Sequence, residues 1–251
     1  MSNHTGDKVD RFNKPNLHQF GAESIYVIND PENIKRREGF VKDWSIFSGF
    51  DYTFVDAVMG KDVDIDELIS SGRLKTFWCG EGALTPNILG VFQSHLNIWH
   101  KIVDEYRDIN SYHLILEDDV RLTPYFLDHA YSSGQFSKIL KFLHNSSVNA
   151  LWWGRADKKV TGESYNKLLK VPERFLALGA HGYMITPGTA SYLINEASEI
   201  QYPLDVFLDV KLTGWQRHYC PNFSYMRQIS HMIGGRFFPE DHEHRVWGST
   251  T

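Results

Sequence analysis

A chain of 251 residues, 42% hydrophobic and 23% charged, has the composition of one globular domain with ample material for a core. Its formal net charge of −5 gives no general pull toward phosphodiester backbones, which argues against nucleic acid as the principal partner. No run of about 18 apolar residues occurs, so no segment reads as a membrane span. The two cysteines, Cys79 and Cys220, fit no metal-site spacing and read as reduced thiols.

Residues 1–20 form a polar lead-in without the apolar centre of a signal peptide, and residues 241–251 a polar tail. Residues 21–240 read as a single domain. The expected location is the cytoplasm, with the inner face of a membrane as the place where lipid-linked acceptors would be met. No basic amphipathic helix supports membrane attachment directly.

Ser24 to Asn29 is a short apolar run, predicted as a buried first strand. Asp30-Pro31 supplies an N-cap and a first helical residue, predicting a helix to about Phe47 with Ile34, Phe40, Val41, Trp44 and Phe47 on one face. Phe50 to Val55 reads as a second strand, and Ile65 to Ile69 as a short helix. Thr85-Pro86 opens the clearest helix, in which Leu89, Phe92, Leu96, Trp99, Ile102, Val103 and Tyr106 recur at three and four. Strands follow at Tyr112 to Leu116, Ala150 to Trp153 and Gly182 to Thr186, and Pro187 starts a helix to about Glu199. This alternation predicts a three-layer α/β sandwich with a mainly parallel central sheet.

The most informative segment is LILEDDV, Leu114 to Val120. An apolar strand runs straight into Glu117, Asp118 and Asp119, at the strand end where α/β sheets bind ligands. Three adjacent carboxylates repel one another. A hard divalent cation, Mg²⁺ or Mn²⁺, would relieve that. Strand alternation puts Glu117 and Asp119 on one face and Asp118 on the other. A solvated acidic loop is the other reading of the same residues, and strand-end acidic pairs also serve phosphatases and nucleases.

Several segments, in order, resemble glycosyltransferase family 25. They are IYVIND with KRRE (Ile25 to Glu38), FVDAVMG (Phe54 to Gly60), ALTPNILGVFQSHLNIW (Ala83 to Trp99), LILEDDV, GAHGYMITPGTASYLI (Gly179 to Ile194) and YPLDVFLD (Tyr202 to Asp209). Val91 departs from the small residue or cysteine common in relatives, a matter of packing. The resemblance implies a GT-A type nucleotide-sugar-binding fold, inversion at the anomeric carbon, and UDP-galactose or a similar UDP-sugar as donor. Asn29 and Asp56, which close the first two matched segments' strands, and Ser94, His95 and Asp118 are implied donor-binding residues.

Roles follow from what transfer to a hydroxyl needs: a stabilised leaving diphosphate, a base and an oriented sugar. Asp119 is the first choice of metal ligand, with Glu117 and Asp118 next. His231, in QISHMIGG, is a further candidate ligand, or a loop histidine. Arg36 or Arg37 can bind a diphosphate. Adjacent helical residues diverge by about 100°, so at most one of the two points inward, and a solvated helix face is the other reading. Asp205 is the candidate base, or a helix cap, with Asp209 one turn on. Gly179, His181 and Gly182 form a loop that lets backbone approach the sugar, or a plain turn before a strand. One of Trp152 and Trp153 enters the core and the other faces the cleft or a covering helix.

The expected acceptor is a glycan or glycolipid such as a lipopolysaccharide or capsule precursor. Protein hydroxylysine, a modified nucleic acid gripped by the basic segment Arg155 to Lys170, and non-catalytic nucleotide-sugar binding are the alternatives.

Overall fold

The computed structural model describes residues 21–45, 51–75, 84–123, 125–126, 133–146, 148–154, 162–164, 169–172, 179–212, 218–221, 226–228, 232–233 and 236–237. The first strand, β1 (Ser24–Asn29), is buried along nearly its whole length, as a continuous apolar run demands of a central parallel strand. It lies between β2 (Thr53–Asp56) and β3 (His113–Glu117), parallel to both. The sheet continues through β8 (Gly182–Ile185), β5 (Ala150–Trp152), β9 (His218–Pro221), β7 (Leu169–Pro172) and β6 (Gly162–Ser164), in the order β2-β1-β3-β8-β5-β9-β7-β6. Strand β8 pairs antiparallel with both neighbours, and β7 with both of its own. The other six strands of the eight run one way, so the sheet is mixed but mostly parallel. Because β8 is reversed, its start lies at the same edge as the end of β3, with Gly182 opposite Leu116.

Helices cover both faces. On one face lie α3 (Pro86–Glu105), α5 (Pro187–Glu196) and α6 (Leu204–Leu212), with the short α2 (Ile65–Ser70), around a core that includes Phe92, Trp99, Trp152, Tyr183 and Phe207. On the other lie α1 (Ile34–Trp44) and α4 (Gln135–Asn145), around Phe40, Trp44, Phe136, Ile139 and Trp153. Adjacent Trp152 and Trp153 therefore enter opposite cores, and both are buried. Neither indole offers a face to a sugar.

Two expectations change in detail. Helix α1 starts at Ile34, because Asn33 accepts from the Arg36 N–H and acts as its cap, while Asp30 closes a preceding turn by accepting from the Glu32 N–H. Phe40 and Trp44 form its inward face, and Ile34 and Val41 are exposed. Helix α3 begins where expected, with Thr85 accepting from the Ile88 N–H ahead of Pro86. Val91 lies on its exposed side, so the departure from relatives disturbs no core contact.

Among the described residues, no helix is long and apolar enough to cross a membrane. Cys79, Phe47, Arg155, Lys158, Lys159 and Lys167 lie outside the described residues, so neither the thiol state nor the basic segment is resolved by the fold.

Candidate active site

The three carboxylates stand where β3 ends. Glu117 closes the strand, and Asp118 and Asp119 form a tight turn into β4 (Val120–Leu122). The turn is pinned by the Asp118 N–H donating to Ile28 O at 2.9 Å. Arg121, almost fully buried, donates through Nη1 to the carbonyls of Asp118 and Val120 and pairs with Asp43 of α1 at 2.5 Å. A Cβ on Gly39 would come within 2.7 Å of the Arg121 guanidinium. The absence of a side chain there lets Arg121 lie against α1 and brace the turn.

Side chains then converge on the carboxylates from five elements. From β1, Asn29 Nδ2 donates to Asp118 Oδ2 at 2.8 Å. From α1, Arg36 spans two carboxylates, with Nη1 3.2 Å from Asp118 Oδ1 and Nη2 3.2 Å from Asp119 Oδ2. Its neighbour Arg37 turns away and lies over the Phe54 ring at 4.2 Å, so one arginine of the pair faces the site. From α3, His95 Nε2 lies 3.6 Å from Glu117 Oε1. From β10 (Met226–Gln228), which pairs antiparallel with β4, Gln228 Nε2 donates to Glu117 Oε2 at 2.8 Å. From α6, Asp205 stands close enough for its charge to act on Glu117.

Negative charge is in excess here. Asp118 and Asp119 are buried, and one partly exposed guanidinium bridges them. Burial, then the neighbouring Asp118 charge, pushes Glu117 up to about 7, with Asp205 adding to the rise and Arg36 opposing it. Burial, then Glu117, pushes Asp119 up to about 8, again against Arg36. Hard oxygen donors under mutual repulsion fit a divalent cation. Among the described residues no three His, Cys, Asp or Glu side chains converge as a ready-made metal cage, so further ligands would have to come from a bound substrate or from residues such as His231 outside that set.

The remaining candidates divide. Asp56 ends β2 in register with Asn29 and is exposed at the rim. Ser94 does not face the carboxylates. Its hydroxyl accepts from the Val58 N–H and donates to Gly90 O, both at 2.8 Å, and so ties the loop after β2 to α3. Gly90 lets that loop approach, since a Cβ there would meet Val58 O at 2.4 Å. His181 is buried against Gly154, and its carbonyl accepts from the Glu117 N–H at 3.1 Å. Gly182 faces Met226, whose sulfur a Cβ would meet at 2.9 Å, so its openness serves β10 rather than a sugar. Gly179 has φ of 121°, which favours glycine, at the entrance to β8. Asp205 lies in the first turn of α6 and accepts from the Val206 N–H, while Asp209 one turn on is buried. Sequence reasoning missed Gln228, Arg121 and Tyr183. The first two make contacts that no local pattern encodes, and Tyr183 reads simply as a strand residue.

A separate cavity of about 470 Å³, lined by Tyr112, Leu143, Asn145 and Thr186 among others, opens at the opposite end of β3 and holds none of these groups.

Fold and site together define an α/β domain with a cluster of carboxylates at the carboxyl ends of its parallel strands, the edge at which sheets of this kind bind ligands. Residues 22–208 match the sequence profile of glycosyltransferase family 25 (LPS biosynthesis protein). The chain belongs to that family. It is 32% identical over 222 residues to a "Glycosyltransferase 25 family member" of Aedes aegypti, covering 80% of this chain and 33% of that protein. A protein of the same description from Drosophila melanogaster is 27% identical over 208 residues, covering 78% and 31%. The chain thus spans about a third of the length of the curated relatives it matches. A solved glycosyltransferase involved in the glycosylation of the major capsid of PBCV-1 overlays 89% of this chain and 98% of its own, with a TM-score of 0.41 and 10% identity.

Proposed function

We propose that this chain is an inverting, metal-dependent glycosyltransferase that moves galactose or glucose from a UDP-sugar to an acceptor hydroxyl. The acceptor we favour is a glycan such as a lipopolysaccharide or capsule precursor. The observation that carries this reading is the carboxylate turn at the end of β3 with Arg36 spanning Asp118 and Asp119. Together with membership of the family, it supports a site built for a diphosphate and its counter-ion.

In this reading Asp119, with Glu117, would hold Mn²⁺ or Mg²⁺, and the ion would neutralise charge on the departing diphosphate. Asn29 and Arg36 orient Asp118 and the turn. Arg36, partly exposed beside the crevice, can exchange part of its pairing for phosphate oxygens. Exposed Asp56 is placed at the rim for a polar part of the nucleotide. Asp205 is the base: it takes the acceptor hydroxyl's proton as that oxygen bonds to the anomeric carbon, and the bond from that carbon to the diphosphate oxygen breaks on the opposite side. Asp209 stands behind it on the same helix.

The test is hydrolysis and transfer with a panel of UDP- and GDP-sugars, with Mn²⁺ or EDTA, beside Asp119→Ala and Asp205→Asn. Turnover of one UDP-sugar, lost with EDTA and in both variants, is the expected result. Folded protein that turns over no donor, and shows no metal-dependent thermal shift with any nucleotide, would overturn it in favour of a binding protein that kept the fold.

A further inference from the structure

Beneath Glu117 a chain of three buried side chains runs back through the core. Trp99 Nε1 donates to the Tyr183 hydroxyl oxygen at 3.0 Å. The same hydroxyl lies 2.8 Å from His95 Nδ1. Tryptophan can only donate, so the Tyr183 proton has His95 Nδ1 as its acceptor. Nδ1 must then be unprotonated. With Nδ1 accepting, the ring is neutral and its single proton sits on Nε2. His95 is fully buried, and its Nε2 has no partner at hydrogen-bond distance. It faces Glu117 Oε1 at 3.6 Å. The other Glu117 oxygen already accepts from Gln228.

We propose that Tyr183 and Trp99 fix His95 as its Nε2–H tautomer, and that His95 is a positioning residue whose buried N–H is held in reserve for Glu117. A shift of Glu117 by well under an ångström closes the gap and gives each of its oxygens one donor. The carboxylate is then held in a single orientation at the crevice floor. The stacking of the His95 and Tyr183 rings, 16° apart with centroids at 5.7 Å, keeps the imidazole plane from turning away. This role differs from direct contact with the donor, and its catalytic consequence rests on the transferase reading; the tautomer does not.

The experiment is long-range ¹H–¹⁵N correlation of imidazoles in the full chain, with His95 assigned by the signal lost in His95→Gln. The expected signal is a neutral Nε2–H ring that becomes a tautomer mixture in Tyr183→Phe. An Nδ1–H ring overturns the proposal whether or not the protein transfers sugar. The kinetic arm uses two amides: Gln places its NH₂ near the site of Nε2, and Asn near Nδ1. We expect His95→Asn and Tyr183→Phe to lose about tenfold or more in kcat with little change in donor KM, and His95→Gln to recover most of that loss. Equal loss in both amide variants, tracking their thermal stability, would reduce His95 to a packing residue.

Discussion

Arg36 illustrates how much of the site hangs on one side chain. It sits one turn into α1 because Asn33, rather than Asp30, caps that helix. From there its guanidinium reaches two carboxylates that otherwise repel. Arg36→Ala should lower the melting temperature more at pH 8 than at pH 6, since Asp119, which burial raises to about 8, is more fully ionised at the higher pH. It should also weaken nucleoside diphosphate binding; calorimetry at both pH values checks the pair of effects. The titrating groups give a second expectation, for the metal-free protein. Burial depresses His95 to about 3 and His113, held between Ser24 and Ser111, to about 4. Their folded forms refuse protons that the unfolded chain binds, so the histidines' contribution to stability rises with pH up to the ordinary histidine value of 6.5, against the opposite trend of the carboxyls. Above that the histidines are silent, and Glu117 and Asp119 govern. Their raised folded values mean a stabilisation fully present below their ordinary pKa and lost as pH rises through about 7 and about 8. The metal-free melting temperature should therefore fall from about pH 6.5 to about pH 8.5, and Asp119→Asn should flatten that fall. A melting temperature that climbs across this window contradicts the charge excess assigned to the site.

At the scale of elements, α6 matters because it brings Asp205 to Glu117. Its anchor is Phe207, packed edge-on to Phe92 at 5.0 Å and stacked on Trp99 at 6.1 Å, both on α3. Truncating a buried phenylalanine costs about 3–5 kcal/mol, so Phe207→Ala should show a loss of that order in denaturant unfolding. It should also cut turnover beyond any effect on donor affinity, because Asp205, the base we propose, is no longer held in place. The sequence makes α3 and β3 legible for simple reasons. A proline after a threonine cap starts α3, and three leucine and isoleucine residues running into three carboxylates mark where β3 must stop. Helix α1 is less legible, since Asp30-Pro31 looks like a cap and Asn33 wins only because Asp30 already closes a turn. The place of the Ser94 hydroxyl against Val58 is likewise not legible, because that contact is set by how closely Gly90 lets the loop approach.

Across the whole molecule, the reversed strand β8 is what completes the site. It puts the Gly179 to Gly182 segment beside Glu117 and carries Tyr183 under His95. Strand β10, returning from far along the chain to pair with β4, delivers Gln228 to the same carboxylate. Neither arrangement can be read from periodicity, because strand direction and long-range pairing leave no local trace; the acidic turn itself can, because its chemistry is concentrated in adjacent residues. The proposed transfer requires that turn to bind a metal-diphosphate unit. The most direct measurement is calorimetric titration of UDP into wild-type and Asp119→Ala protein, each with Mn²⁺ and with EDTA. We expect measurable binding in wild type with Mn²⁺, and a loss of about tenfold or more in affinity with EDTA or in the variant. UDP affinity that is the same in all four titrations would contradict the assignment of the carboxylate turn as the donor site.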